Sequence, residues 1–181
     1  MNTRYIVKHR RRREGRTNYT KRVKLLISQS PVVRFRKGSK NIIAQITAFD
    51  QKGDKTVLYA NSSELKNHGW TLSRKNIPAA YLTGLLLAKK NKNKLGEIIA
   101  DFGIKKPSKG SASYAFLKGV LDGGLNVICS KDPFPSEDRI SGKHISSYSS
   151  GKHQKTQFSK TPGTAGIEKL FIEVKNKIMK G

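Results

Sequence analysis

Positive charge is placed so unevenly along this chain that only its middle can close around a core. Residues 1–40 carry 14 Lys and Arg against Glu14 alone, residues 41–140 carry 15 against nine Asp and Glu, and residues 141–181 carry eight against two. At a formal net charge of +25, compaction of the ends gains nothing unless an anionic partner relieves their repulsion. The full length of 181 residues suits one domain, and a chain of this size buries roughly 70% of its unfolded surface. The expected division is a basic arm over 1–16, a core domain over 17–140, a basic Ser/Gly/Lys-rich extension over 141–163 and a closing helix over 164–181.

Within the core the hydrophobic period changes from segment to segment. In NYTKRVKLLIS, Tyr19, Val23, Leu26 and Ile27 recur at helical spacing while Lys21, Arg22 and Lys24 fall largely off that stripe, so one helix face should pack and the other stay basic. Three runs separated by turns, SPVVRFRKG with Pro31 at its opening, IIAQITAFD and TVLYANS, read as an antiparallel meander. In the first of them Val33 and Phe35 share one side and Arg34 and Arg36 the other. SSELKNHGW reads as a short helix capped by Ser62 or Ser63. In NIPAAYLTGLLLAKKNK, Pro78 suits a first helical turn, Tyr81, Leu82, Leu85 and Leu86 form a stripe, and Lys89, Lys90 and Lys92 favour the negative end of the dipole.

The second half then alternates: EIIADFG as a short buried strand, SASYAFLKGVLDGG as a helix ending at Gly123 or Gly124, LNVIC as a strand. Such alternation needs crossover connections. The predicted fold is therefore α/β (α+β): a mixed sheet that begins with the three-stranded antiparallel meander, helices packed on it, a basic N-terminal arm and an extended C-terminal segment ending in a helix. SGKHISSYSSGKHQKTQFSKTPG is too poor in aliphatics to build a core. Ile167, Leu170, Phe171, Val174 and Ile178 restore helical periodicity after it, and that helix must dock somewhere.

Catalytic chemistry finds little to work with. His9, His68, His144 and His153 are scattered, and neither CxxC nor HExxH occurs, so neither a metal site nor a cofactor is expected. Cys129, the only cysteine, lies among apolar neighbours and reads as a buried structural thiol. Asp101 and Asp122 read as salt-bridge or solvent partners rather than a metal-binding pair. GIKKPSKGS, at 103–111, lacks the spacing of a phosphate loop and reads as a basic loop at a strand end. No apolar run is long enough to span a bilayer and no lipid or secretory signal opens the chain, which predicts a cytoplasmic protein with no membrane partner.

The positive signals agree with one another. Arg10, Arg11, Arg12, Arg13 and Arg16 crowd into one short tract, and guanidinium groups fork onto phosphate oxygens. Aromatic residues lie within the basic stretches; of these, Tyr19 and Phe35 fall on the apolar stripe and face and read as core. Duplex DNA would call for a zinc finger, zipper or helix-turn-helix, none of which is evident. RNA suits basic arms that order on binding and a sheet face carrying Arg. A nonspecific chromatin-like binder and an RNA-processing enzyme stand as alternatives.

Several colinear stretches resemble one family. YIVKHRRRREGRTNYTKRVKLL, RFRKGSKNIIAQI, GDKTVLYANSSELKNHGW, NIPAAYLTGLLLAKK, KGSASYAFLKGVLDGGL and FPSEDRISGKHI together, from about residue 4 to 145, are similar to the universal large-subunit ribosomal protein eighteen family in its archaeal and eukaryotic-type form. The short length suits the archaeal type. The resemblance implies a non-catalytic scaffold that binds 5S rRNA and helps attach it to the large-subunit rRNA in the central protuberance, beside ribosomal protein five. It carries RNA contacts onto Lys8, Arg10, Arg11, Arg12, Arg13 and Arg16 in the arm. In the first helix it implies Tyr19, Lys21 and Arg22, and in the first strand and its turn Arg34, Arg36, Lys37, Ser39, Lys40 and Asn41.

Overall fold

The computed structural model describes residues 6–91, 95–104, 106–130, 132–150 and 166–180. A five-stranded sheet forms its frame: β1 (Val32–Lys37), β2 (Ile42–Ala48), β3 (Lys55–Asn61), β4 (Ile98–Asp101) and β5 (Val127–Ile128), in the order β3-β2-β1-β4-β5. The β1–β2 and β2–β3 pairs are antiparallel and the β1–β4 and β4–β5 pairs parallel. The mixed sheet expected from the sequence is therefore present, with the meander first. β4 is half-buried apart from Ile98, and β5 is a two-residue edge.

Period-two alternation decides the two faces. Val33 and Phe35 of β1 and Ile42, Ala44 and Ile46 of β2 point into the core; Arg34 and Arg36, with Ile43 and Gln45 of β2, occupy the opposite face. The inner face is covered by α3 (Ile77–Lys89) and α4 (Ala112–Asp122). Asn76 caps α3 by accepting the Ala79 N–H at 2.9 Å, and Pro78 sits in its first turn. Every residue from Pro78 to Ala88 is buried, more than the predicted stripe, because α3 has the sheet on one side and helices on the others. Lys90 stands at the C-terminal cap of α3, where it also pairs with Glu64 and donates to the Tyr59 carbonyl at 3.1 Å.

Helix–helix packing is closest between α3 and α4. A Cβ added at Gly84 would lie 2.2 Å from the Phe116 carbonyl oxygen, and one at Gly119 would lie 2.1 Å from that of Tyr81. The two backbones touch, and only glycine allows it.

The segment after β3 is a 3₁₀ helix, Ser62–His68, capped by Asn61 rather than by Ser62 or Ser63: Asn61 accepts the Ser63 N–H while Glu64 accepts the Asn61 N–H. Ser62 is instead buried, its hydroxyl accepting the Ile42 N–H at 2.9 Å. Two short helices follow, α5 (Glu137–Ser141), which packs on α3 and buries Ile140, and α6 (Lys143–Ser149). α6 thus occupies the first part of the stretch 141–163 that was expected to build no core; it packs on neighbouring helices with Ser149 buried, and residues 151–165 lie outside the described residues. The final helix, α7 (Ile167–Lys180), buries Ile167, Phe171, Val174 and Ile178 as expected. It docks on α3, with the Phe171 and Tyr81 rings 5.5 Å apart and Lys175 Nζ 5.5 Å from the Tyr81 ring centre.

Candidate nucleic-acid interface

The arm holds one short helical turn, α1 (Arg10–Arg13), all four arginines exposed. Adjacent cations repel, and Glu14 moderates this by pairing with Arg10 at 3.3 Å and Arg16 at 3.1 Å. Arg11 donates from Nε to the Thr17 hydroxyl at 2.8 Å. Lys8, Arg12 and Arg13 make no ion pair with any described residue.

Helix α2 (Tyr19–Ile27) begins at Asn18, whose side chain accepts the Lys21 N–H at 3.1 Å. Its orientation corrects the sequence reading. Val23 is 52% exposed and Ile27 76%, whereas Lys21, Arg22, Leu25 and Leu26 turn toward the sheet. The outer sheet face here offers carboxylates as well as apolar atoms. Lys21 reaches Asp101 at 2.7 Å, and the Arg22 fork donates to both oxygens of Asp54 at 3.3 Å. The α2 leucines meanwhile line a small cavity together with Val32 and Thr47. Long basic side chains can lay their methylenes on a surface while their heads are paired.

Arg34 joins the same network, donating to Asp54 at 2.9 Å with its Nε 3.7 Å from Asp101. Burial raises the pKa of both carboxyls, but the cationic hydrogen bonds, helped at Asp101 by the Gly103 N–H, outweigh it and leave both below the ordinary aspartate value. Asp101 is therefore a salt-bridge partner; Asp122, the other candidate ligand, accepts the Tyr81 hydroxyl at 2.7 Å elsewhere. Of the cations expected to face RNA, Lys21, Arg22 and Arg34 are thus engaged within the protein, while Arg36, Lys37 and Lys40 are exposed and unpaired among the described residues.

Arm, β1 and the loop after β4 enclose a cleft of about 670 Å³. Arg11, Arg16, Arg34, Arg36, Lys37 and Lys106 line it; Asp101, already paired, is its one carboxylate. The loop 103–111, read from sequence as basic and able to meet phosphates, supplies Lys106 and leads into the N-terminal turn of α4 at Ser111 and Ala112. Such a cleft concentrates positive potential where a polyanion would lie.

The remaining sequence candidates divide by burial. Phe35 is core, its ring 5.2 Å from Phe116. Tyr19 is half-buried with its ring 5.6 Å from His9. Ser39 is exposed on the β1–β2 turn, and Asn41 closes that turn by accepting the Gly38 N–H on its carbonyl at 2.8 Å. Cys129 is only half-buried, yet burial still pushes its thiol pKa up, which keeps it protonated and poorly nucleophilic.

One residue escaped sequence reasoning. Asp101, Arg34, Gln45 and Tyr59 stand opposite one another in successive strands, placing Tyr59, 43% exposed, in the Arg34 row of the outer face. Alternation in TVLYANS, with Leu58 and Ala60 inward, carried that signal. Among the described residues, no helix is long and apolar enough to cross a membrane and no group of three or more His, Cys, Asp or Glu could hold a metal ion.

Comparison with known proteins agrees with this geometry. A family model described as ribosomal large subunit proteins 60S L5 and 50S L18 matches residues 3–98. The large ribosomal subunit protein uL18 of Methanothrix thermoacetophila is 50% identical over 147 residues, covering 80% of this chain and 86% of that protein. Those of Korarchaeum cryptofilum and Methanoregula boonei are 49% and 46% identical, again over 80% of this chain and over 75% and 84% of theirs. A basic cleft on a mixed sheet, together with this extent of identity to archaeal proteins, establishes that the chain belongs to the uL18 family of large-ribosomal-subunit proteins.

Proposed function

We propose that this protein is a structural component of the large ribosomal subunit that binds 5S rRNA and helps attach it to the large-subunit rRNA in the central protuberance, in contact with ribosomal protein five. It works in the cytoplasm, within the ribosome, and catalyses no reaction. The observation that carries the reading is the cleft formed by the arm, β1 and the loop after β4, where six cations converge around a single, already neutralised carboxylate. Phosphate contacts from Arg11, Arg16, Arg36, Lys37 and Lys106 would position the RNA, with the arginines of α1 following its backbone beyond the cleft. Arg34, Lys21 and Arg22 act chiefly by holding α2 and the sheet in place. Asp54 and Asp101, the carboxylates nearest the cleft with depressed pKa, are held by cations, an arrangement that suits a scaffold and leaves no general base for RNA cleavage there.

The test is binding of the full chain to 5S RNA across a salt series, with transfer RNA and duplex DNA as competitors. Preference for 5S RNA by orders of magnitude, with a steep salt slope, is the expected result. Equal competition by all three would replace the 5S assignment with a nonspecific chromatin-like binder, and RNA turnover abolished by Asp→Asn changes would restore the enzyme.

A further inference from the structure

We infer that a groove in the helical layer, bounded by α5 and α7, docks a cationic segment of a neighbouring protein. The groove measures about 410 Å³ and shares no lining residue with the arm cleft. Tyr81 of α3, Ile140 of α5 and Phe171 of α7, all buried, give it an apolar floor.

Charge sets this groove apart. Three of the chain's 12 Asp and Glu, namely Asp122, Glu137 and Asp138, share its walls with two lysines, Lys118 and Lys175. The arm cleft, by contrast, gathers six cations about one carboxylate. Both lysines of the groove are already engaged: Lys118 pairs with Glu137 at 2.9 Å, and the Lys175 ammonium stands over the Tyr81 ring. Asp122 is exposed and makes no ion pair among the described residues. It accepts the Tyr81 hydroxyl at 2.7 Å, and burial together with that carboxylate raises the Tyr81 pKa, so the phenol stays a donor and Asp122 its acceptor. Asp138 meets Lys143 only at 3.7 Å, both side chains exposed, a pairing that contributes little. On a protein of formal net charge +25, a surface of this sign repels phosphate and attracts a cation.

An apolar anchor is present as well. Ile172, in the wall formed by α7, is 55% exposed. Asn176 and Met179 continue its stripe along α7 at helical spacing, and both are exposed. Exposed apolar atoms beside a buried aromatic floor, with carboxylates at the rim, match the core and rim of a protein interface. A segment laying one aliphatic side chain on Ile172 and turning Lys or Arg toward Asp122 and Asp138 satisfies both parts, and complementary charge fixes its register. RNA would bring phosphates against carboxylates and leave Ile172 uncovered. The inference rests on the protein's place in the large ribosomal subunit and not on the identity of 5S RNA.

Carboxylate labelling with a water-soluble carbodiimide and glycine ethyl ester, read by mass spectrometry, tests it on the full chain, free and within purified large ribosomal subunits. Asp122, Glu137 and Asp138 should take up the amine in the free protein and be protected in subunits. Continued labelling in subunits would overturn the proposal. Protection already complete in the free chain would overturn it too, by assigning the groove to the chain's own residues. Subunits carrying Asp138→Lys or Ile172→Ser should regain labelling of Asp122 and Glu137, because the segment then meets a like charge or loses its anchor. Both positions are exposed, so the unfolding midpoints of the free variants should stay close to that of the unmodified chain. Protection that persists in the Asp138→Lys subunits would give the groove to RNA and sink the inference. Failure of 5S preference in the competition experiment would leave these readouts unaffected, so the two proposals fail separately.

Discussion

Arg34 on β1 donates to Asp54, in the β2–β3 turn, at 2.9 Å, and the carboxylate that receives it also receives the fork of Arg22 from α2. One aspartate therefore ties a strand, a turn and a helix that has no fully buried residue of its own. Lys21 and Asp101 repeat the arrangement at 2.7 Å on the neighbouring strand β4. α2 is held on the outer sheet face as much by charge as by Leu25 and Leu26.

Replacing Asp54 with Asn should therefore loosen α2. The change keeps shape but removes the charge and leaves Arg34, a half-buried cation, short of its nearest partner. A loss of about 1–3 kcal/mol is expected for hydrogen bonds to a charged group of this exposure, read from urea unfolding. Amides of residues 19–27 should exchange faster in the variant; unchanged exchange would show that the leucines suffice.

Acid should act through the same carboxylates. Asp54 and Asp101 titrate below the ordinary value of 3.8 in the folded protein, so the unfolded chain binds more protons at low pH. Their stabilisation is fully present above that value and is lost as pH falls through the depressed folded values. Thermal midpoints measured from about pH 5 downward should fall steeply below about pH 4, and Asp54→Asn/Asp101→Asn should flatten that limb. An identical acid limb in the double variant would place the acid-labile groups elsewhere.

Gly84→Ala and Gly119→Ala should each destabilise severely. The added methyl would meet a main-chain carbonyl oxygen at 2.2 Å or 2.1 Å, so α3 and α4 would have to separate beneath the sheet. Overpacking typically costs about 1–3 kcal/mol, and more when backbone must move. Denaturant midpoints or soluble yield would show it, with Gly96→Ala, where nothing lies within 4 Å, as the control.

Changing Arg10, Arg11, Arg12 and Arg13 together to Ala should leave the unfolding midpoint nearly unchanged, because α1 buries nothing. RNA binding should weaken, and its log-log salt slope should fall by about 0.7–0.9 for each phosphate that the arm no longer neutralises. A slope equal to that of the unmodified chain would make the arm a bystander for that RNA.

The sequence by itself determined what short-range periodicity and charge can encode. Alternation in VVRFRK separates Val33 and Phe35 from Arg34 and Arg36; helical spacing in IPAAYLTGLLLAK marks α3; the crowding of Arg10–Arg13 on an otherwise uncompensated arm announces a polyanion. Tertiary structure alone decided which face of α2 turns inward, because the carboxylates that draw Lys21 and Arg22 lie 80 and 32 residues away in sequence, and a stripe of Val23 and Ile27 carries no record of them. It also decided where α7 docks and that Asp122, Glu137 and Asp138 share one groove with Ile172. An apolar stripe states that a helix has a partner without naming it, and scattered carboxylates become a site only when the chain folds them onto one surface.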